Sequence, residues 1–159
     1  FCMALIENGN VVAERIDIPS QWKAVVAIPD FELHTEKARA VLPASYVRSD
    51  VVHNIGAVSF LMAAFMYNKP EYLKFGLDDH VHVPYRLGLI PGSEEVIRSS
   101  VKAGAYGATI SGSGPTIIAF SPSDKAHLVG ESMVSTFKHH GITSSYIVLD
   151  FDQSGISAV

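Results

Sequence analysis

Cysteine is nearly missing from this chain: Cys2 is the single one among 159 residues. No intrachain disulfide can form, which suits a reducing compartment such as the cytoplasm. An excess of one charge is missing too, since 12 Lys and Arg face 16 Asp and Glu for a net charge of −4. A mildly acidic chain without a basic block makes a poor nucleic-acid binder, so no nucleic-acid partner is expected. No apolar run reaches the roughly 20 residues of a membrane span. The longest, residues 55–66, is broken by Gly56 and Ser59, and no membrane partner is expected. The start has no basic leader and does not read as a signal peptide. It opens on Phe1 rather than Met, and residues 1–6 already read as a strand, which suggests a chain cut from a longer protein at a domain boundary. Internal repeats and low-complexity segments are absent as well.

What is present is apolar material, 48% of the residues, enough for the core of one domain. Two strands, residues 1–7 and 11–18, flank Asn8-Gly9-Asn10, a strong hairpin signal. Residues 22–28 contain Ala24-Val25-Val26-Ala27-Ile28, which reads as a buried strand, and Cys2, in the first predicted strand, is expected to be an inert core residue. Helices are expected over 35–42, capped by Thr35, and over 49–67, capped by Ser49 or Asp50. The second is apolar around its circumference and is expected to be deeply buried. Shorter helices are expected over 70–79, 84–89 and 91–103. Strands follow at 106–110 and 116–120, joined by Ser111-Gly112-Ser113-Gly114-Pro115. A helix starting at residues 121–124 carries Ala126, Val129, Met133 and Phe137 on one stripe and ends at Gly141. The last strand, 145–151, sets Ile147, Leu149 and Phe151 on one face, and the polar tail 152–159 is expected to be mobile. After the hairpin the order is β–(helices)–β–β–α–β. The fold class is therefore α+β: a ferredoxin-like split βαβ, an antiparallel sheet with helices packed on one face, preceded by an N-terminal β-hairpin.

Three segments could carry chemistry. Glycines in Ser111-Gly112-Ser113-Gly114 let a backbone approach a ligand, although a glycine-dependent turn would look the same. The loop is neither a Walker A sequence, since no Lys follows the second Gly, nor a nucleophile elbow. In His34-Thr35-Glu36-Lys37-Ala38-Arg39, helical side chains lean toward the N-terminus, so Arg39 reaches back over Thr35. A guanidinium beside a hydroxyl suits a carboxylate; a capped surface helix with a solvated Arg is the alternative. In Val83-Pro84-Tyr85-Arg86-Leu87, an Arg among apolar residues either binds an anion or caps a neighbouring helix. The histidines show no array at metal spacing, so no metal site is assigned. Asp78-Asp79 reads as a solvated helix end, and His139-His140 fits a helix C-terminus.

Taken together, these stretches resemble homoserine kinases of the GHMP kinase superfamily. The resemblance rests on Thr35-Glu36-Lys37-Ala38-Arg39 with Leu42-Pro43, on Pro84-Tyr85-Arg86 with Leu89-Ile90-Pro91-Gly92, and on Gly107 to Thr116 with its Ser-Gly-Ser-Gly-Pro loop. It implies the C-terminal domain over residues 1–159, with the hairpin of residues 1–20 coming from a domain junction and the N-terminal ATP-binding domain lying outside the chain. It further implies that Thr35, Arg39 and Arg86, and more weakly Asn54, bind L-homoserine, with the arginines near its carboxylate. Ser111, Gly112, Ser113 and Gly114 would support the ATP phosphate loop. ATP and Mg2+ would be held mainly by the N-terminal domain, no catalytic residue would lie in this chain, and the chain alone would be inactive. An exposed face left for that domain could also be covered by homodimerisation. The competing readings are a sister GHMP kinase acting on another small alcohol and an amino-acid-binding regulatory module.

Overall fold

The computed structural model describes residues 1–154. Of the tail expected over 152–159, the part from 155 onward lies outside the described residues. Asn8 and Gly9 have φ of +52° and +80°, the two left-handed positions of a tight hairpin turn. They join β1 (Cys2–Glu7) to β2 (Asn10–Arg15), with Glu7 opposite Asn10 and Ile6 opposite Val11. The turn thus has two residues, as Asn-Gly demands. Cys2 is exposed, contrary to its expected place in the core, because its strand pairs only within this two-stranded sheet and not with the main one.

The main sheet contains β3 (Trp22–Pro29), β4 (Gly107–Ile110), β5 (Ile117–Pro122) and β6 (Ser144–Leu149). All its pairings are antiparallel, in the order β4-β5-β3-β6. The first of these strands in sequence is therefore central, as the ferredoxin-like split βαβ requires. Strand alternation sends Val25, Ala27, Ile117 and Ala119 to one face. There they meet Val96 of α5 (Ser93–Lys102) and Val129, Met133 and Phe137 of α6 (Ala126–His139). The last strand turns Tyr146 and Val148 to this core. Ile147 and Leu149 share a face as expected, but it is the open one, each being 46% exposed.

At one end of the opposite face, Trp22 and Phe120 pack on Phe65, with ring centroids 5.7 and 5.6 Å away. The Trp22 indole N–H donates to Asn68 Oδ1 at 3.0 Å. Phe65 belongs to α2 (Arg48–Met66), which follows the short α1 (Thr35–Ala40). Neither helix uses the expected side-chain cap: the caps are His34 and Val47, without side-chain hydrogen bonds, so Thr35 is the first helical residue of α1.

Deep burial of α2 is not what the fold delivers. Only Ala57, Ala64 and Phe65 are buried, while Val52 and Ile55 are 59% and 65% exposed. A helix apolar all round gives no moment to say which side the chain itself covers. By length and composition alone α2 is apolar enough to cross a membrane. The expectation that no segment reaches that length counted an unbroken apolar run, whereas the helix also takes in Arg48, Asp50, His53 and Asn54.

A 3-10 turn at Pro70–Tyr72 leads into α3 (Leu73–Gly76), and α4 (Val83–Arg86) continues as a second 3-10 turn at Leu87–Leu89. Gly76 sets the separation of α2 and α3: a Cβ there would lie 2.7 Å from Leu61 Cα, against backbone that cannot rotate aside. Gly76→Ala should therefore push α3 off α2 and lower stability by about 1–3 kcal/mol, the usual cost of overpacking. Urea unfolding of the two proteins measures this, and an unchanged midpoint would show that α3 yields freely.

Candidate functional site

Four separate stretches of the chain converge on one open cavity of about 530 Å³. The short α1 contributes Thr35 from its first turn and Arg39 from its last, four residues apart and hence on one helix face. From α4 comes Arg86, and from the β4–β5 loop come Gly112 and Ser113. Asn54 of α2 lines the cavity with Asp79 and His82 of the α3–α4 connection.

Arg86 is the fastener of this arrangement. Its Nε donates to the Ala38 carbonyl of α1 at 3.2 Å, and its Nη1 donates to the Gly112 carbonyl at 3.0 Å. The helix-capping role that the sequence left open for this arginine is thus real, and the residue borders the cavity as well. Two bonds leave part of the guanidinium fork unused, because arginine carries five N–H donors. Arg39 makes no side-chain hydrogen bond or ion pair among the described residues, and it lines the same cavity. Thr35 Oγ1 lies 3.4 Å from Ser113 Oγ, bringing the start of α1 to the loop.

The loop holds its own shape. Ser111 N–H donates to Thr116 O at 2.8 Å and Gly114 N–H donates to Ser111 O at 3.0 Å. Gly112 and Gly114 take φ of +59° and +85°, values that a side chain would resist. Gly112 and Ser113 reach the cavity, whereas Ser111 and Gly114 form the base of the loop.

Asn54 is committed elsewhere. Its Oδ1 accepts the His80 N–H at 2.8 Å and its Nδ2 donates to Asp79 Oδ1 at 3.4 Å. Asp78 and Asp79 part company: Asp79 is no solvated helix end but the centre of a turn. Its Oδ1 accepts the backbone N–H groups of Val81 and His82, and its Oδ2 lies 3.3 Å from His82 Nδ1. Burial pushes the Asp79 carboxyl up, but those two N–H groups, the His82 ring and Asn54 together outweigh it and hold the carboxyl below its ordinary value. Sequence reasoning missed Asp79 and His82 as wall residues. The signal available was an Asp two and three residues ahead of free N–H groups before Pro84, the pattern of an Asx turn.

The family described as GHMP kinases C terminal matches residues 70–139. Homoserine kinase of Desulfitobacterium hafniense is 37% identical over 157 residues, covering 99% of this chain and 53% of that protein. Homoserine kinase of Carboxydothermus hydrogenoformans is 45% identical over 149 residues, covering 94% of this chain and 48% of that protein. The crystal structure of homoserine kinase from Cytophaga hutchinsonii superposes with a TM-score of 0.87 at 33% identity, over 91% of this chain and 46% of that one. The chain spans about half the length of the curated relatives it matches.

Asp79 makes the wall sensitive to acid. Its carboxyl is depressed in the folded protein, so its contribution is full above the unfolded value, about 4, and is lost as pH falls through the lower folded value. Unfolding free energy measured from pH 6 down to pH 2 should fall less steeply for Asp79→Asn than for the parent. Parallel curves would show that the turn does not depend on the charge.

Proposed function

The chain carries a GHMP kinase C-terminal domain, and from that premise we propose that it is the substrate-binding half of a homoserine kinase. That enzyme transfers the γ-phosphoryl group of ATP to the side-chain hydroxyl of L-homoserine. One observation carries the reading: an unpaired guanidinium, Arg39, stands beside Thr35, Arg86 and Ser113 in a cavity large enough for an amino acid. The similarity to homoserine kinases along almost the whole chain supports it.

In this reading Arg39 is the principal carboxylate ligand, because its fork has no competing partner among the described residues and pairs naturally with two oxygens. Arg86 contributes its remaining N–H groups while keeping α1 and the glycine loop in register. Thr35 offers a hydroxyl at the rim. Asn54 acts one step back, holding the turn at Asp79 rather than the substrate.

Phosphoryl transfer leaves little covalent chemistry to the protein and depends on positioning and charge stabilisation. This half supplies positioning of the acceptor. ATP and Mg2+ would be bound mainly by the other half, whose phosphate loop would pack on the Ser111–Gly114 turn. The apolar hairpin, with Ile6 76% and Val11 69% exposed, would be covered at the junction with that half. A second copy of the chain is the other way to cover such a face. The setting is cytoplasmic, in keeping with one unpaired cysteine.

In the complete enzyme, Arg39→Ala should lower kcat/KM for homoserine by the equivalent of about 2–5 kcal/mol, as for a lost charge-assisted pair, with KM for ATP little changed. Arg86→Ala should lower it too, and should also lower the melting temperature, because two carbonyls lose their donor. Homoserine kinetics unchanged in both variants would sink the assignment. Calorimetry separates the halves: the complete protein should bind homoserine and Mg-ATP, and the 159-residue chain neither, or homoserine weakly.

A further inference from the structure

Beginning next to Asn54 along the chain, three side chains from two elements bring their ligand atoms close together. His53 extends from α2, and Asp78 and His80 come from the turn after α3. His53 Nε2 lies 3.0 Å from Asp78 Oδ2, and His80 Nε2 lies 3.7 Å from the same oxygen. The three ligand atoms all lie within 4.8 Å of one another, the one such group of three among the described residues. Ligands around a tetrahedral Zn2+ sit about 3.4 Å apart, given metal–ligand bonds of about 2.0–2.2 Å. The two contacts to Asp78 Oδ2 bracket that separation.

A fourth residue makes this more than a chance cluster. Asp50, one turn before His53 on α2, places Oδ1 3.5 Å from His80 Nδ1. A carboxylate on one imidazole nitrogen fixes the tautomer that leaves the other nitrogen free to ligate, the usual support of a metal-bound histidine. Here that free nitrogen is Nε2, the one directed at Asp78.

We propose that His53, Asp78 and His80 form a binding site for a divalent first-row transition ion such as Zn2+, with Asp50 orienting His80. Two imidazoles and one carboxylate suit Zn2+, Co2+ or Ni2+ and not Mg2+, which takes oxygen ligands in octahedral array. The two rings lie stacked, with centroids 3.8 Å apart and planes inclined by 11°. Their lone pairs run nearly parallel, so ligation needs the rings to fan apart. Both side chains are 39% exposed and can rotate into that arrangement. Three protein ligands leave the fourth position to water. An ion there would staple α2 to the turn whose next residue, Asp79, lines the cavity, and His80 N–H already bonds to Asn54 in that wall.

Calorimetric titration of Zn2+ alone into the purified, nucleotide-free complete protein tests the site, with Mg2+ as the control. One Zn2+ per chain, a raised melting temperature with Zn2+ and no heat from Mg2+ are expected. His53→Ala, at an exposed helix position, and His80→Ala should each weaken Zn2+ affinity by at least about tenfold, with the melting temperature in the absence of metal showing that each variant is folded. Asp50→Asn should weaken it about tenfold, the usual effect of losing an orienting partner. Absence of Zn2+ binding overturns the proposal. So does binding that persists undiminished in the His53→Ala/His80→Ala double variant, which would send the ion to a site elsewhere in the protein.

Discussion

Two carbonyl oxygens depend on one guanidinium. Ala38 O lies near the end of α1 and Gly112 O in the β4–β5 loop, 74 residues further along, and both accept from Arg86. A carbonyl half out of water loses about 1–3 kcal/mol if its donor is taken away. A charged donor that serves two such groups therefore fixes the angle between the elements that carry them. Thr35 and Arg39 stand on the α1 side of this clamp, Gly112 and Ser113 on the loop side, and the cavity is the space between. The placement of Thr35, Arg39 and Ser113 relative to one another follows from that registration.

The opposite wall is held by a second network of the same kind but of opposite charge. Asp79 gathers two backbone N–H groups, the His82 ring and the Asn54 amide, while Asn54 in turn holds the His80 N–H. The cavity thus has a cationic side built on Arg39 and Arg86 and a side whose carboxylate is internally satisfied. An anionic group entering the space meets attraction from one side and little repulsion from the other, because the Asp79 charge is already spread over donors of its own.

Between the core and this site runs α2, which is apolar on every side and covered on few. Its C-terminal end closes the Trp22–Phe120 cluster, its middle lines the cavity, and its outward valines and isoleucine meet solvent together with the hairpin strands. Exposed apolar side chains in such number on one helix and one hairpin fit interaction surfaces. They accord with relatives about twice as long as the chain.

Much of this was legible in the sequence, and the division follows the range of the forces. Asn8-Gly9 determined the hairpin because positive φ is a property of two residues. Strand alternation and the α6 stripe at Ala126, Val129, Met133 and Phe137 determined the core face and the element order, since periodicity is local. The spacing of Thr35 and Arg39 determined that they share a helix face. The tertiary structure alone decided that Arg86 clamps two carbonyls, that Asn54 is spent on a turn, and that Cys2 and most of α2 stay exposed. Those outcomes hang on partners 25 or more residues away. A side chain's pattern along its own element states that it can bond or be buried, but the packing of distant elements selects the partner.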